Sequence, residues 1–324
     1  MTPDFLERIA EEANLAPSAH NTQPTRWQAD GDNAILLSLE PSRLLPIGDP
    51  ENKDARLSGG AALYGTILAL ARNGMGTSGW EADGDRARIQ LSSDAGPVLP
   101  AELLNKRTTF RAGFEAPSID ARKALEEICA SRDDTALTQA KDQIEALSEW
   151  NDQASLAIMR APDFRRELLD WMRLSRSNPH WDTDGLSADA LAMSGLEARA
   201  AGLVLRRPMF ELIDRIGFAK AVVSEHSKTV TATGLVAFHR PQGEDRWTSG
   251  GRFYDFWIAL TQAGFAAWPM AVLADNAAAR QEVVRLYRLP DNRDLTTVLR
   301  VGPHPGNRQP PKARLAARQL LIEA

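Results

Sequence analysis

Two groups of basic residues have the types and the spacing needed to bind an anion. Arg107, Thr109 and Arg111 alternate along one short segment, so in an extended chain their side chains project to the same side. A second basic pair, Lys312 and Arg314, lies near the end of the chain. A guanidinium binds a phosphate through two parallel hydrogen bonds, and hydroxyl donors and a nearby helix N-terminus add to that binding. The pattern predicts an anion site.

A polar loop follows the first predicted helix and is bounded by Pro17 and Pro24. Between the prolines, Ser18, Asn21 and Gln23 offer donors and acceptors suited to the edge of a heteroaromatic ring. The prolines themselves restrict the shape of the loop. A proline-bounded exit from a helix also needs no ligand, and on chemistry alone that interpretation is favoured over a binding loop.

Other candidate motifs do not predict a catalytic or metal site. The five histidines are scattered, and His180 with Asp182 lacks further nearby metal ligands. Cys129 is the only cysteine, which excludes an intrachain disulfide, and it is expected in the core. Residues 74–79 spell G-x-G-x-x-G, but they follow a helix rather than a strand, which indicates a glycine-rich helix exit. No side-chain group is predicted to be catalytic.

Composition excludes some classes of partner. The formal net charge is −5 at pH 7 and the pI is about 5.7, so no basic excess exists to neutralise nucleic-acid phosphates. No stretch approaches the roughly 20 apolar residues that cross a bilayer. Met1 to Asp4 resemble the start of a helix rather than a signal peptide, so a cytoplasmic location is expected.

Two pairs of helices indicate that the chain repeats its fold. Residues 2–14 and 118–130 each begin at a capping residue, Thr2 and Ser118, and each carry two apolar residues three positions apart. Two further apolar helices are bracketed by glycines 14 positions apart, and their apolar residues fall at the same offsets. The bracketing glycines are Gly60 and Gly74 in one helix, and Gly250 and Gly264 in the other. The shared order favours an internal duplication.

The predicted strands complete the two repeats. They are residues 34–39 and 87–91 in the first repeat, and 229–238 and 295–301 in the second, with a helix around 276–288. The order helix, strand, helix, strand in each half predicts an α+β fold, with long helices packed on antiparallel-dominated sheets.

The predicted halves differ in length. The boundary lies near residues 97–106, which gives a first half of 1–105 and a second half of 106–324. The second half is longer because residues 155–225 are inserted. The insertion contains tryptophan, arginine and methionine residues amid short helical patterns. It is either a helical layer over a cleft or additional scaffold.

Four segments resemble motifs of the FMN-dependent nitroreductase family. The loop at 16–24 resembles A-P-S-x-x-N-x-Q-P, and residues 107–111 resemble the R-x-[ST]-x-[RK] element that binds the FMN phosphate. Residues 311–315 resemble the C-terminal basic clamp on that phosphate. Residues 264–271 are similar to the glycine-to-proline segment whose backbone runs beside flavin N5. The resemblance covers most of the chain, and the first motif is the most specific of the four.

The resemblance implies FMN as the cofactor and names the residues that bind it. They are Arg107, Thr109, Arg111, Lys312 and Arg314 for the phosphate, Pro17, Ser18 and Asn21 for the ring, and Pro269, Met270 and Ala271 beside N5. One departure is Thr25, where the family often has tryptophan. The aromatic residue comes two positions later, as Trp27, which leaves the local shape of the loop open.

The resemblance also implies a single FMN in a nitroreductase-like fold. In ordinary family members the phosphate element comes from one subunit of a dimer and the A-P-S loop from the other. This chain has one copy of each, in opposite halves. The two repeats are therefore expected to form an intrachain pseudo-dimer with one FMN, as in the internally duplicated branch that includes the Acg-like proteins. A monomer is sufficient for such a site.

The function that follows is an FMN-dependent oxidoreductase. NAD(P)H passes hydride to flavin N5, and the flavin reduces a nitroaromatic, quinone or similar small-molecule acceptor. The alternative is a protein that stores or sequesters FMN beneath a lid formed by the insertion. A duplicated scaffold without flavin is a third interpretation. No nucleic-acid or membrane partner is expected.

Overall fold

The computed structural model describes residues 1–322. The first repeat consists of α1 (Pro3–Ala13), β1 (Thr25–Asp30), β2 (Ala34–Leu39), α2 (Lys53–Arg72), β3 (Gly76–Asp83) and β4 (Arg86–Ser92), and α3 (Ala101–Lys106) follows it. As predicted, Thr2 caps α1, because its side chain accepts a hydrogen bond from the Phe5 N–H.

The second repeat contains the insertion. It begins with α4 (Ile119–Ala130), β5 (Thr135–Thr138) and α5 (Lys141–Met159). The next elements are α6 (Pro162–Trp171), β6 (Met172–Arg173), β7 (Leu186–Ser187), α7 (Gly195–Val204), α8 (Met209–Arg215), α9 (Ala219–Val223) and α10 (His226–Thr229). The chain then forms β8 (Gly234–Pro241), α11 (Arg246–Gln262), β9 (Phe265–Pro269), α12 (Val272–Asp275), α13 (Ala277–Tyr287) and β10 (Arg293–Pro303).

Each repeat forms a four-stranded antiparallel sheet with the same strand order. The first sheet has the order β1-β2-β4-β3 and the second β5-β8-β10-β9, so the first, second, fourth and third strands are neighbours in both. Every pairing within the two sheets is antiparallel. Helices α1 and α4 occupy equivalent places in the two repeats, as do α2 and α11. The predicted α+β class and the internal repetition are confirmed.

The two repeats meet where α2 crosses α11. A Cβ added to Gly60 would lie 2.0 Å from the Trp247 carbonyl oxygen, and one added to Gly250 would lie 2.0 Å from the Leu57 carbonyl oxygen. Each contact maps onto the other by a shift of 190 residues. The helix backbones touch reciprocally about a pseudo-twofold axis, and any side chain at either glycine would separate them.

Some elements differ from the sequence prediction. The strand predicted from Thr229 begins at Gly234, because Thr229 closes α10. A Cβ at Gly234 would lie 2.7 Å from Leu137 Cδ1, so glycine allows β5 to pair closely with β8. Strands β1, β3, β5 and β9 and helix α5 were not predicted. The division at residues 105 and 106 falls at the end of α3 and stays a prediction.

Two smaller expectations are also answered. Cys129 is buried as predicted, and burial raises the pKa of its thiol to about 12. Residues 74 and 75 connect α2 to β3, and residues 76–79 begin β3, so this segment follows a helix as expected. None of the helices in the described part of the chain combines the length and the apolar character needed to span a bilayer.

Candidate functional site

Segments far apart in the sequence meet at one cleft, which we call the cation cleft. Its empty volume is about 610 Å³, which includes space open to solvent. The lining comes from the loop after α1, the segment after α3, the insertion and the C-terminal segment. The lining residues are Pro17, Ser18, Asn21, Arg107, Thr108, Thr109, Arg111, Gly185, Leu186, Ser187, Ala190, Pro310, Pro311, Lys312, Ala313 and Arg314.

Eight of the eleven residues predicted to bind the cofactor line this cleft. They include all five predicted phosphate ligands and all three predicted ring contacts from the first repeat. The structure therefore brings together two basic groups that are about 200 residues apart in sequence.

The other three predicted residues, Pro269, Met270 and Ala271, lie outside the lining. Met270 is buried in an apolar cluster with Ile144 and Leu273. Its N–H donates to the Val298 carbonyl at 2.7 Å, so that amide is already used within the fold. The role of residues 269–271 beside a flavin ring stays a prediction.

Three cations of the cleft, Arg107, Lys312 and Arg314, have no neutralising carboxylate among the described residues. Among the described residues, those that act electrostatically on Arg107, Lys312 and Arg314 are one another and Tyr254. Burial, then Arg107 and Arg314, lower the pKa of Lys312 to about 6. Burial, then Arg107, lower the pKa of Arg314 to about 9. Burial also lowers the pKa of Arg111 to about 10, although Glu225 opposes that effect. Like charges held together in a poorly solvated place favour an anion.

Several buried donors around these cations have no partner in the described part of the chain. They are Nε and Nη1 of Arg107, Nε of Arg314, the hydroxyl of Tyr254 and Nε1 of Trp257. Buried polar groups are nearly always hydrogen-bonded, so a concentration of free donors requires a physical reason. A ligand with several acceptor oxygens and a double negative charge fits these donors, and the terminal phosphate of FMN is such a group.

The cations are held in place by backbone oxygens and one aromatic ring. The Leu15 carbonyl accepts hydrogen bonds from Arg107 Nη2 at 3.2 Å and from Arg314 Nη2 at 3.3 Å. Lys312 Nζ donates to the Asn105 carbonyl at 2.5 Å. The Arg107 guanidinium also lies 4.8 Å from the ring centroid of Trp257, within the range of a cation–π contact. These contacts fix the cations before any ligand binds.

The loop after α1 has an unusual backbone. His20, Asn21 and Gln23 have φ values of 47°, 56° and 50°, which is the left-handed region that side chains disfavour. The Gln23 side chain holds the loop: its Oε1 accepts from Asn14 Nδ2 at 2.8 Å and from the Leu315 N–H at 2.9 Å. Strained residues of this kind concentrate at binding sites, where neighbouring structure maintains them.

His20 was not singled out from the sequence. Burial, then Arg111, lower the pKa of its imidazole to about 4, so the ring is neutral near pH 7. Tyr254 and Trp257 were also missed as site residues, although both lie on a buried helix, α11. The available signal was that buried tyrosine and tryptophan usually need a partner for their polar atoms.

Part of the insertion lies directly on the cation cleft. Asn21 Nδ2 donates to the Gly185 carbonyl at 3.3 Å, and Arg111 Nη1 donates to the Ala190 carbonyl at 3.1 Å. Asp184 anchors this segment, because it pairs with Arg173 at 2.7 Å. Helices further along the insertion pack around their own apolar cluster, which includes Met159, Leu205 and Phe210. The insertion is thus partly a wall of the cleft and partly a separate helical layer.

The pseudo-twofold axis defines a second position, which is equivalent to the cation cleft. In the first repeat Ala13 lies against Gly65, since a Cβ at Gly65 would be 2.9 Å from the Ala13 carbonyl oxygen. Asp255, which is equivalent to Gly65 by the 190-residue shift, instead forms an ion pair with Arg132 at 2.9 Å. Arg132 also pairs with the buried carboxylate of Asp134 at 2.8 Å. Protein carboxylates therefore neutralise Arg132, in contrast to Arg107, Lys312 and Arg314 of the cation cleft.

No family model matches the chain. Over 172 residues it is 31% identical to a provisionally named NAD(P)H nitroreductase of Mycobacterium tuberculosis strain H37Rv, covering 48% of this chain and 47% of that protein. Over 126 residues it is 36% identical to the provisionally named NAD(P)H nitroreductase acg of the same strain, covering 36% of this chain and 38% of that protein. The chain spans about half the length, or less, of these relatives.

Some solved structures are weakly similar to this chain. One is the FMN- and NADPH-dependent nitroreductase NfnB of a Sphigopyxis species, with 17% identity and a TM-score of 0.37 over 69% of this chain and 98% of that one. Another is the FMN-dependent nitroreductase NfnB of Mycobacterium smegmatis in complex with NADPH, with 17% identity and a TM-score of 0.35 over 69% and 92% of the two chains. These structural likenesses are weak. The sequence relatives confirm the resemblance to nitroreductase-like proteins, the acg protein among them.

Proposed function

We propose that this chain, a relative of the nitroreductase-like proteins, binds one molecule of FMN in the cation cleft and acts as an NAD(P)H-dependent oxidoreductase. The observation that carries the proposal is the convergence of Arg107, Arg111, Lys312 and Arg314 around unpartnered buried donors. A phosphate dianion supplies the charge and the acceptor oxygens that this group lacks. The names of the sequence relatives support the nitroreductase assignment.

The residues of the chain divide the work of binding. Arg107, Thr109, Arg111, Lys312 and Arg314 would hold the phosphate. Pro17, Ser18 and Asn21 contact the ring system from the first repeat. Residues 269–271 are proposed to lie beside N5 in the second. Bound FMN would supply the chemistry of hydride transfer from NAD(P)H and of electron transfer to a nitroaromatic, quinone or similar acceptor.

The insertion controls access to this site. We propose that the halves divide at residues 105 and 106 and that part of 155–225 forms a lid on the second half. The contacts of Gly185 with Asn21 and of Ala190 with Arg111 support a lid that excludes water. A lid that stays closed describes the storage alternative, and a lid that admits a nicotinamide describes the enzyme.

Anaerobic reduction separates these two functions. Purified protein loaded with FMN is mixed with NADH or NADPH while the visible absorption band of the flavin is followed. We expect bleaching by at least one nicotinamide, at a rate limited by the lid, followed by reoxidation when a quinone or nitroaromatic is added. A flavin that stays oxidised under saturating NADH and NADPH contradicts the enzyme and leaves the storage function.

A stoichiometry measurement tests the single site. We expect one FMN per 324-residue chain, because ion pairs of Arg132 with Asp134 and Asp255 occupy the second position. The flavin released by denaturation is quantified against protein concentration and identified by chromatography as FMN or FAD. Two flavins per chain, or none after reconstitution, would contradict the single cation cleft as the cofactor site.

A further inference from the structure

Tyr254 lies outside the lining of the cation cleft, and its buried hydroxyl has no hydrogen-bond partner among the described residues. It is fully buried on α11, one turn before Trp257, whose ring stacks on Arg107. The charged groups that act electrostatically on the Tyr254 hydroxyl are Arg107 and Arg314. Guanidinium groups are donors only, so neither arginine can accept the tyrosine proton in a hydrogen bond. Burying a hydroxyl without an acceptor is costly.

The pseudo-twofold axis supplies a direct comparison for this residue. Tyr64 of α2 is equivalent to Tyr254 by the same 190-residue shift that relates the contacting glycines. The two tyrosine rings meet edge to face, with centroids 6.2 Å apart. The Tyr64 hydroxyl, unlike that of Tyr254, has an acceptor: it donates to Asp255 Oδ1 at 3.0 Å. The other carboxylate oxygen of Asp255, Oδ2, accepts a hydrogen bond from Arg132 Nη1 at 2.9 Å.

The residue equivalent to Asp255 is absent from the other half. In the first repeat its place is taken by Gly65, and the backbone of Ala13 approaches within 2.9 Å of where a Cβ would stand. The second position therefore contains a tyrosine, a cation and a carboxylate that joins them. Near the cation cleft the equivalent tyrosine and several cations are present, but Gly65 supplies no carboxylate.

We propose that the Tyr254 hydroxyl donates a hydrogen bond to the phosphate of bound FMN. A phosphate oxygen would then accept from Tyr254 and the cleft cations, as the Asp255 carboxylate accepts from Tyr64 and Arg132. This inference rests on the proposed function and adds to it a binding residue from α11, beyond the two basic motifs. It also explains the single site, because the second position contains its own anion.

The pseudo-symmetry provides a matched pair of variants. Tyr254→Phe removes one oxygen from the cation cleft, and Tyr64→Phe removes the equivalent oxygen from the second position. A hydrogen bond to a charged group is stronger than one between neutral groups. We therefore expect Tyr254→Phe to weaken FMN binding about 10- to 100-fold, measured by fluorescence titration, and to leave riboflavin binding unchanged. Tyr64→Phe should leave the ratio of FMN to riboflavin affinity at the wild-type value.

A second measurement reports on the phosphate itself. The phosphorus NMR resonance of bound FMN should shift in Tyr254→Phe and stay in place in Tyr64→Phe. Equal losses of FMN and riboflavin affinity, or an unchanged phosphorus resonance, overturn the inference and leave the proposed function standing. If the wild-type protein binds no FMN, the proposed function fails first and the role of Tyr254 fails with it.

Discussion

Replacing Arg107 by alanine is expected to raise the Kd for FMN about 10- to 100-fold, because charge-assisted hydrogen bonds of this kind contribute roughly 1.5–3 kcal/mol. Two of the guanidinium nitrogens, Nε and Nη1, have no partner within the described residues and are free for the ligand. The third nitrogen, Nη2, donates to the Leu15 carbonyl, and the guanidinium packs against the ring of Trp257. The donors are therefore fixed before the ligand binds. Preorganised donors lose little entropy when the anion arrives.

Riboflavin provides the control for this prediction, since it lacks the phosphate. Its Kd should change little in Arg107→Ala, and titrations of both flavins by fluorescence quenching give the comparison. Arg308→Ala is the matched protein control, because Arg308 pairs with Glu115 at 3.0 Å and is not part of the cleft lining. Equal losses for FMN and riboflavin would show that Arg107 supports the fold rather than the phosphate.

The repeated helices could be predicted because their signals are local. These signals are capping residues, such as Thr2 and Ser118, and the glycine spacing around α2 and α11. They can be recognised without knowing which helix each one packs against. The reason for the glycines was not visible in either half alone. Gly60 and Gly250 are required by the approach of each helix to the backbone of the other, and only the assembled pair shows that contact.

The missed strands depend on their neighbours rather than on their own composition. Strand β3 (Gly76–Asp83) contains two glycines and polar residues and is mostly half-buried or exposed. It is a strand because it pairs along its whole length with β4. Strand β1 likewise ends in polar residues and pairs with β2. Single-segment patterns do not detect strands whose stability comes from pairing.

The residues of the candidate site that belong to sequence motifs could be predicted, whereas those that come together only in the folded chain could not. The alternation of Arg107, Thr109 and Arg111 is visible in the sequence, as is the later basic pair. Tyr254 could not be connected with them, since its environment depends on how α11 lies across α2. The unpaired state of its hydroxyl follows from Gly65 in the other helix, and that relation exists only in three dimensions.

Lys312 gives the cation cleft a dependence on pH. In the ligand-free cleft, burial and the neighbouring Arg107 and Arg314 lower the pKa of its ammonium group to about 6. The nearest titrating cations have a higher pKa, about 9 for Arg314 and about 10 for Arg111. The imidazole of His20, with a pKa of about 4, is already neutral above pH 6. Between about pH 6 and pH 8.5, Lys312 is therefore the cleft cation that loses its charge.

Binding of FMN should accordingly take up about one proton, and affinity should fall as pH rises through this window. A phosphate dianion favours the protonated lysine, so its pKa is higher in the complex than in the free protein. Below the pKa of about 6 in the free protein, Lys312 is charged and contributes its full share to FMN affinity. Above that pH the FMN affinity falls about tenfold per pH unit, until the pH reaches the pKa of Lys312 in the complex. Below pH 6 the phosphate gains a proton and loses charge, so the affinity for FMN also falls as the pH decreases.

Two variants isolate the contribution of Lys312 to this profile. Lys312→Arg keeps its charge throughout the window and should give an FMN affinity that is nearly flat between pH 6 and 8.5. Lys312→Met should be flat and weak. Asp54, with a pKa of about 7, also titrates in this range but lies outside the cleft lining, so any slope it causes persists in both variants. Isothermal calorimetry at pH 7.5 in buffers of different ionisation enthalpy counts the proton taken up. A wild-type profile without slope, or a slope that is as steep in Lys312→Met as in the wild type, would show that Lys312 does not change its protonation when the phosphate binds.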